Sequence, residues 1–402
     1  MAKADRVAIV GGGPVGLTAA WLLAAKGVPV AVFEKEECVQ EDYRASTFHA
    51  ATLDLLEGTG ITEALVEMGI QCPIVQFRSW DEGRIAEYDH SVLKNDTNHP
   101  YRLQCEQYKL AQWLFDRMSE MPGVDLYYGH EVTGFDQDDD GVTISARSAG
   151  DDMTLRADYL IGADGGRSTV RKVLDIDFPG FTFPERILVM GTTLDLRTVL
   201  PDLAYVNYVT DPKHYGHILR IPNLWRMSQP LFDDEDSDEV LSDEGIEARL
   251  RQVIPDLKLP DIKVRGIYTV HQRVAETYRK GRAFLAGDAA HLNNPKGGMG
   301  LNGGIHDAWD LTERLGRIWH DDVREDELDG YEPLRRKEAI EDVHKQTQAN
   351  VSNLKEADAD ARQALFDEWR RKAADPEAQR QALLQSSMLA SLRRCGMLPE
   401  RN

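Results

Sequence analysis

Residues 7–37, VAIVGGGPVGLTAAWLLAAKGVPVAVFEKEE, constrain the fold more than any other stretch of this chain. Two short apolar runs, 6–10 and 30–34, read as buried strands. Val15 to Lys26 between them reads as an apolar helix with small residues on one side. The order strand, glycine turn, helix, strand is a βαβ opening. Gly11 permits a tight turn, Gly13 lets a pyrophosphate approach the backbone, and Gly16 lets the helix lie close to the strand. The helix N-terminus then faces the phosphates. Glu34, at the end of the second strand, is placed to accept the ribose hydroxyls of an adenosine.

The rest of the chain sets limits on that reading. Its 402 residues allow two or three domains. The formal net charge of −21 argues against nucleic-acid binding, which needs a basic face, so an anionic dinucleotide must meet backbone amides or a local positive patch. No apolar run of membrane-spanning length is present, so no stable membrane insertion is expected, and MAKADR has no signal-peptide character. Cys38, Cys72, Cys105 and Cys395 are scattered, which fits a reducing cytoplasm and gives neither a metal site nor a disulfide framework.

Along the chain, 52–69 reads as one helix, 73–100 as short strands and turns, and 108–121 as a helix. Strand-like stretches at 124–134 and 142–148 flank the turn DQDDDG. Residues 181–280 alternate strands and loops, with the acidic run 233–240 read as a solvated loop. From about 304 the pattern is helical to the end. Two further glycine motifs stand out. GADGGRSTVRK (162–172) follows a strand and supplies Arg167, Arg171 and Lys172. Gly298, Gly300 and Gly303 repeat the spacing of the first motif without a strand directly before them, and read as a turn opening a helix over 301–316.

Taken together, the N-terminal fingerprint with Glu34, the Asp-Gly motif at 158–171, and GRAFLAGDAAHLNNPKGGMGLNGGIHDAWDL (281–311) resemble the FAD-dependent aromatic hydroxylases. These are class A flavoprotein monooxygenases typified by p-hydroxybenzoate hydroxylase, and the resemblance runs from residue 7 to about 345. It implies an α/β chain. A discontinuous Rossmann-like FAD-binding domain (1–72, 100–180, 281–345) would carry an inserted β-sheet substrate domain (73–99, 181–280) and a helical C-terminal segment (346–402). It implies FAD as resident cofactor, NADH or NADPH as transient reductant and O2 as co-substrate, with a small aromatic molecule hydroxylated through a flavin hydroperoxide. Gly11, Gly13, Gly16, Glu34 and Lys35 would hold the ADP half of FAD, and Arg44 would lie near the pyrophosphate. Gln107 and Asp288 would meet the ribityl chain, with Asp164 beside the cofactor. Pro295, Gly298, Gly300, Leu301 and Asn302 would lie against the isoalloxazine. Ala51 stands before Thr52 where many relatives carry arginine.

The substrate side is less defined. His214, Tyr215 and His217, in KHYGHILRI, are candidates for the base that deprotonates a ring hydroxyl, and Tyr205, Tyr208 and Pro295 for contacts to the ring. Trp80, Arg102 and Arg226 are weaker candidates, and His291 reads as structural. The tail reads as a helical cap or a homodimer contact. The alternatives are a ubiquinone-pathway-type hydroxylase, another flavin enzyme tailoring a natural product, a non-catalytic redox sensor and an NAD-dependent dehydrogenase. A halogenase would carry a W-x-W-x-I-P stretch, and none occurs.

Overall fold

The computed structural model describes residues 6–232, 235–255, 257 and 261–401. The start of MAKADR, and Asp233 and Asp234 of the acidic run, lie outside the described residues. The fingerprint strands Val7–Val10 and Val30–Glu34 pair in parallel at the centre of a six-stranded sheet. Its order is Arg279–Lys280, Ala283–Leu285, Tyr159–Gly162, Val7–Val10, Val30–Glu34, Val124–Tyr128, and all neighbours are parallel except the first pair. The central strands are apolar and buried, as strands covered on both faces must be, up to Glu34, which ends the second of them half-buried.

Register explains why the fingerprint turn, the Asp-Gly turn after Gly162 and the Gly-Asp turn at Gly287 meet. Val10 pairs with Gly162, and Gly162 with Leu285, so three parallel strands end level with one another. The turns that follow, at Gly11, at 163–165 and at 286–287, therefore lie side by side along the carboxyl edge of the sheet, where open α/β sheets bind ligands.

The second layer is an eight-stranded, largely antiparallel sheet. Its order is His291–Leu292, Ile262–Val274, Gly180–Thr192, Leu224–Leu231, Gly216–Ile221, Val206–Thr210, Ile74–Ser79, Gly83–Asp89. Alternation divides its residues. Leu188, Met190, Ile218, Trp225 and Met227 on the outer face pack against Ile246 and Leu250 of the helix Asp243–Val253. On the inner face Tyr208 lies opposite His217, and His217 opposite Ser228, with Arg226 two residues along from Ser228.

Three local readings change. The helix expected over 52–69 is two, Ala50–Leu55 and Ile61–Met68, because Gly58 and Gly60 adopt positive φ (79° and 84°) and break the chain between them. The 181–280 region is not only strands and loops. Asp236 caps Ser237–Leu241 through the amides of Asp238 and Glu239, and Ser242 caps Asp243–Val253 through Gly245, so the acidic run 233–240 includes a capped helix within its described part. The helix expected over 301–316 spans Gly300–Trp319.

The C-terminal helices Ala359–Ala374, Pro376–Ser386 and Leu389–Arg394 pack on their own chain. Phe366, Trp369, Leu383, Leu389 and Leu392 share a buried cluster with Ala50, Leu55, Ile85 and Leu93. The tail is thus a cap on the edge strand Gly83–Asp89 of the large sheet and on the helix Ala50–Leu55. Among the described residues no helix is long and apolar enough to cross a membrane.

Candidate active site

The fingerprint glycines meet three different demands. Gly11 has φ +112°, and a Cβ there would overlap the carbonyl of Ala163 in the adjacent turn. At Gly16 a Cβ would overlap the carbonyl of Gly11 itself. Gly13 has nothing within 4 Å of its Cβ position. Two glycines therefore close the fold, and the third leaves open space. The helix Pro14–Ala25 begins at Gly13 with no side-chain cap, Pro14 in its first turn and no acidic residue there, so its N-terminal amides are available to an anion. Glu34 stands beside this opening. Its carboxylate accepts from the amides of Gly12 (2.7 Å) and Glu36 (3.1 Å), which fixes its direction. Tyr128, which sequence reasoning did not single out, donates to the Gly12 carbonyl (3.0 Å). Lys35 is exposed and sits 3.7 Å from Glu36.

Gln107, a ribityl candidate, and Arg44, the pyrophosphate candidate, converge on a residue that was also not foreseen. Asp42 accepts from Arg44 Nη2 (2.6 Å) and from Gln107 Nε2 (2.6 Å). Asp288, on the turn Gly287–Ala289, is solvent-exposed yet lies in a concavity dense enough that desolvation raises its carboxyl, against the downward pull of His291 and Arg44. Arg226 reaches over from the large sheet and donates to the carbonyls of Tyr43 and Arg44, leaving its Nε unpartnered. Asp164 accepts from the amides of Thr169 (2.7 Å) and Val170 (3.1 Å), so one oxygen caps a short helix while the other, Oδ1, is buried without a partner. Arg171 is not free to serve a ligand. It is buried and ties the Gly166 and Ala289 carbonyls together, both at 2.8 Å. Arg167 is exposed.

The third group is the loop before the helix Gly300–Trp319. Asn302 donates to the carbonyls of Thr47 (2.9 Å) and Gly298 (2.7 Å), and accepts from His49 N (2.9 Å) and Thr52 Oγ1 (2.6 Å). Its side chain is fully engaged in holding the loop, so only backbone amides of Gly300, Leu301 and Asn302 remain for a ligand. Pro295 is half-buried and its carbonyl accepts from Gly298 N (3.0 Å). Behind the loop, the buried carboxylate of Asp307 accepts from Gly287 N (2.9 Å), His291 Nε2 (2.7 Å) and Arg335 Nε (2.7 Å), and Arg335 also pairs with Glu338. His291 is therefore a structural partner of Asp307: burial and the nearby Arg335 both work to strip the histidine's proton, and the Asp307 carboxylate outweighs them and raises the imidazole above its ordinary value. The C-terminal third braces the loop from outside: His344 bonds the Leu292 carbonyl (3.0 Å) and Asn350 the Lys296 carbonyl (3.0 Å).

The substrate-side candidates are divided by the sheet. Tyr208, on the inner face, is buried and its hydroxyl accepts from Arg102 Nη1 (2.6 Å). Tyr205 packs edge-on against Trp225 of the outer-face cluster. Trp80 donates to the His214 carbonyl (3.0 Å), and burial lowers the His214 imidazole, with Asp211 opposing and Arg249 of the outer helix adding to the shift. Tyr215 and His217 are buried on the side of Lys296, a lysine that sequence reasoning passed over. His217 Nδ1 bonds Ser228 Oγ (2.8 Å), and its Nε2 has no partner. Burial, with Lys296 and Arg226 nearby, keeps this imidazole neutral. Among the described residues no group of three His, Cys, Asp or Glu side chains could hold a metal.

The donor set fits FAD. The open space over Gly13, the uncapped helix start, the unpartnered Asp164 Oδ1 and the amide-lined loop follow one another along the carboxyl edge of the sheet. The FAD binding domain family model matches residues 5–347. Para-nitrophenol 4-monooxygenase of Pseudomonas sp. (strain WBC-3) is 35% identical over 396 residues, covering 96% of each chain. 6-Hydroxy-3-succinoylpyridine 3-monooxygenase of Pseudomonas putida is 34% identical over 362 residues, covering 88% of this chain and 90% of that one. The crystal structure of p-nitrophenol 4-monooxygenase from Pseudomonas putida DLL-E4 superposes with a TM-score of 0.90 at 32% identity, covering 96% of this chain and 98% of that one. The chain belongs to the FAD-dependent aromatic hydroxylases, the class A flavoprotein monooxygenases.

Proposed function

We propose that this hydroxylase acts on a small phenolic or hydroxylated N-heteroaromatic ring, held between the inner face of the eight-stranded sheet and the loop Pro295–Asn302. The observation that carries this reading is the composition of that face. Tyr208, His217, Ser228 and Arg226 share it, and His217 Nε2 and Arg226 Nε are buried without partners. Buried polar atoms are rarely left unsatisfied, so such a pair marks a place where a ligand completes the bonding. The names of the two sequence relatives, a nitrophenol and a hydroxypyridine monooxygenase, support the same class.

In this proposal residues 1–72, 100–180 and 281–345 hold FAD, residues 73–99 and 181–280 form the substrate half, and 346–402 brace and cap both. Bound FAD, reduced by NADH or NADPH, supplies the activation of O2. The protein supplies the rest. The Gly11 to Gly16 turn and its helix neutralise the pyrophosphate, and Glu34 holds the ribose. Arg44 leaves Asp42 to meet the phosphates, while Gln107, Asp164 and Asp288 line the ribityl path. The amides of Gly300 to Asn302 oppose negative charge on the reduced ring system. The sheet and loop exclude water, without which reducing equivalents are lost to peroxide. Four unpaired cysteines, two of them buried with thiols pushed up to about 12, accord with a cytoplasmic setting. Because the tail's apolar face is covered within its own chain, a homodimer would use other surfaces.

The test is a panel of phenols and hydroxypyridines added to flavin-loaded protein with NADH or NADPH, with peroxide measured alongside. A true substrate accelerates nicotinamide oxidation, gives a hydroxylated product and leaves little peroxide. If every ring compound in the panel leaves the rate at its basal value, the substrate class is wrong.

A further inference from the structure

Lys296 follows Pro295 in the flavin-side loop, and its surroundings are unusual for a lysine. It is 1% exposed. The only hydrogen bond of its ammonium among the described residues is a marginal one to Ser228 Oγ, at 3.5 Å, and no carboxylate lies within ion-pair distance. The ammonium sits 5.4 Å from the centre of the Tyr215 ring. Ser228 Oγ also bonds His217 Nδ1 at 2.8 Å, so the three form a chain, Lys296–Ser228–His217, that ends in the unpartnered His217 Nε2.

The groups around Lys296 come from every element packed on it. His217 and Ser228 belong to neighbouring strands, Arg226 lies further along the Ser228 strand, and Tyr215 precedes the His217 strand. Glu185 borders the same small cavity from the next strand, but its carboxylate faces Lys355 at 3.4 Å. The neighbourhood therefore holds two cations and a histidine, and its one carboxylate has a cation of its own. In a chain of net charge −21 this is a buried site lacking an anion.

We propose that Lys296, backed by Ser228 and His217, receives the proton of the substrate's ring hydroxyl and holds the resulting phenolate as its counter-ion. The O–H bond of the phenol breaks, a new N–H bond forms on Nζ, and the electron pair stays on oxygen, where it enriches the ring for oxygen transfer. No electron changes hands in the step. The uncharged amine it requires is accessible, because burial followed by repulsion from Arg226 pushes the Lys296 ammonium down to about 7. The assignment rests on the phenol-class reading above and refines it: preferred substrates carry an acidic ring hydroxyl.

The experiment reads ionisation of a bound chromophore, without turnover. Oxidised, flavin-loaded protein is titrated with 4-nitrophenol between pH 5 and 8 in the absence of nicotinamide, and the phenolate band is followed by difference spectroscopy. Wild type is expected to bind the phenolate below the pH at which free nitrophenol ionises. Lys296→Met should raise the apparent pKa of the bound phenol by about one unit, a tenfold change in the ionisation ratio, while leaving the affinity for uncharged 4-nitroanisole unchanged. Lys296→Arg, which keeps the charge but cannot give up its proton, should retain the phenolate band and lose coupled hydroxylation. It also serves where the Met variant does not fold. An unaltered nitrophenol titration in Lys296→Met, or an Arg variant that hydroxylates as wild type, overturns the assignment and leaves the hydroxylase reading intact. If wild type binds neither nitrophenol nor any other phenol of the panel, the substrate-class reading fails, and the Lys296 assignment with it.

Discussion

Arg335→Met tests whether the buried charge network behind the flavin loop holds the cofactor turn in place. Arg335 is 1% exposed and donates to Asp307 (2.7 Å), to Glu338 and to the Gly303 carbonyl (3.2 Å). Methionine fills much of the same volume but removes the only full-time cation between two buried carboxylates. Asp307 keeps His291 and Gly287 N. Glu338 keeps Ser391 Oγ at 3.2 Å and His306, whose Nδ1 is 3.8 Å away. Breaking a buried pair by removing one partner costs about 3–5 kcal/mol. At about 2.1 cal/mol/K of unfolding entropy per residue, and if all 402 residues melt as one unit, this lowers Tm by about 4–6 °C. The pH dependence has a defined sign. Despite burial, Arg335 and the histidines hold both carboxylates below their ordinary range in the folded state. Their contribution is therefore complete above the unfolded carboxylate pKa and is lost only as pH falls through the lower folded value. Without Arg335 those folded values rise toward the unfolded ones, so the variant loses less stability on acidification, and its deficit against wild type should be largest near pH 7 and narrow as pH falls toward 4. The assay is thermal melting between pH 4 and 8, with FAD content after gel filtration measured in parallel, because Asp307 also anchors Gly287 next to Asp288. A variant that melts within 1 °C of wild type across that range, with full flavin, would show that these charges are compensated without Arg335 and refute the reasoning.

Gly13→Ala and Gly16→Ala separate ligand space from packing space: the first should leave apoprotein stability unchanged and weaken FAD retention, and the second should lower stability by about 1–3 kcal/mol, both read by denaturant melts with and without FAD. Asp42→Asn releases Arg44 and Gln107 from a carboxylate that competes with the pyrophosphate, so flavin should dissociate several-fold more slowly in a chase against excess free ligand; faster release would make Asp42 a positioning residue instead. Lys296 is charged in both states below pH 7 and neutral in both above its ordinary pKa of 10.5, so its burial penalty, about 5 kcal/mol at most, is fully present below pH 7 and is relieved as pH rises from 7 to 10.5. Lys296→Met should accordingly gain most in urea midpoint at pH 6 and least near pH 10, and a gain constant with pH would contradict the depressed value.

What was legible in the sequence was what depends on local backbone. Gly11 and Gly16 have no room for a side chain, and Gly13 needs none, so those demands are written at fixed spacing whatever surrounds them. The Gly-Asp turn is legible for the same reason. The break at Gly58 and Gly60 was equally local and could have been read from the glycine pair, but the leucine periodicity on either side outweighed it. The helix Asp243–Val253 was hidden by the acidic run before it, although Asp236 and Ser242 stand where caps belong. Asp42, Asp307, Arg335 and Lys296 were not legible, because each acts through a partner distant in sequence. Asp307 and Arg335 are 28 residues apart and meet only after two helices pack. Their one visible signal was charge inside apolar helical patterns, GIHDAWDL and EPLRRKEAI, and such residues can equally face solvent.

The tail of this chain is part of the cofactor loop's support. The loop from Leu292 to Lys296 makes few bonds of its own, since it must leave amides and the Pro295 face for ligands, so its shape has to be imposed from outside. Asn302 imposes it from the FAD side, through Thr47 and Gly298. His344 and Asn350 impose it from the other side, through the carbonyls of Leu292 and Lys296. Those two residues lie on a helical stretch whose position is set in turn by Arg335 and Glu338, and Glu338 accepts from Ser391 near the very end of the chain. A buried polar network of this kind stabilises little compared with an apolar core of the same shape. What it adds is discrimination among arrangements, because any displaced packing leaves Asp307 or Glu338 without its cation. The same logic applies to Lys296. An apolar residue there would make a more stable protein, and the persistence of an almost unpartnered cation beside the flavin loop is intelligible if the missing partner arrives with the substrate.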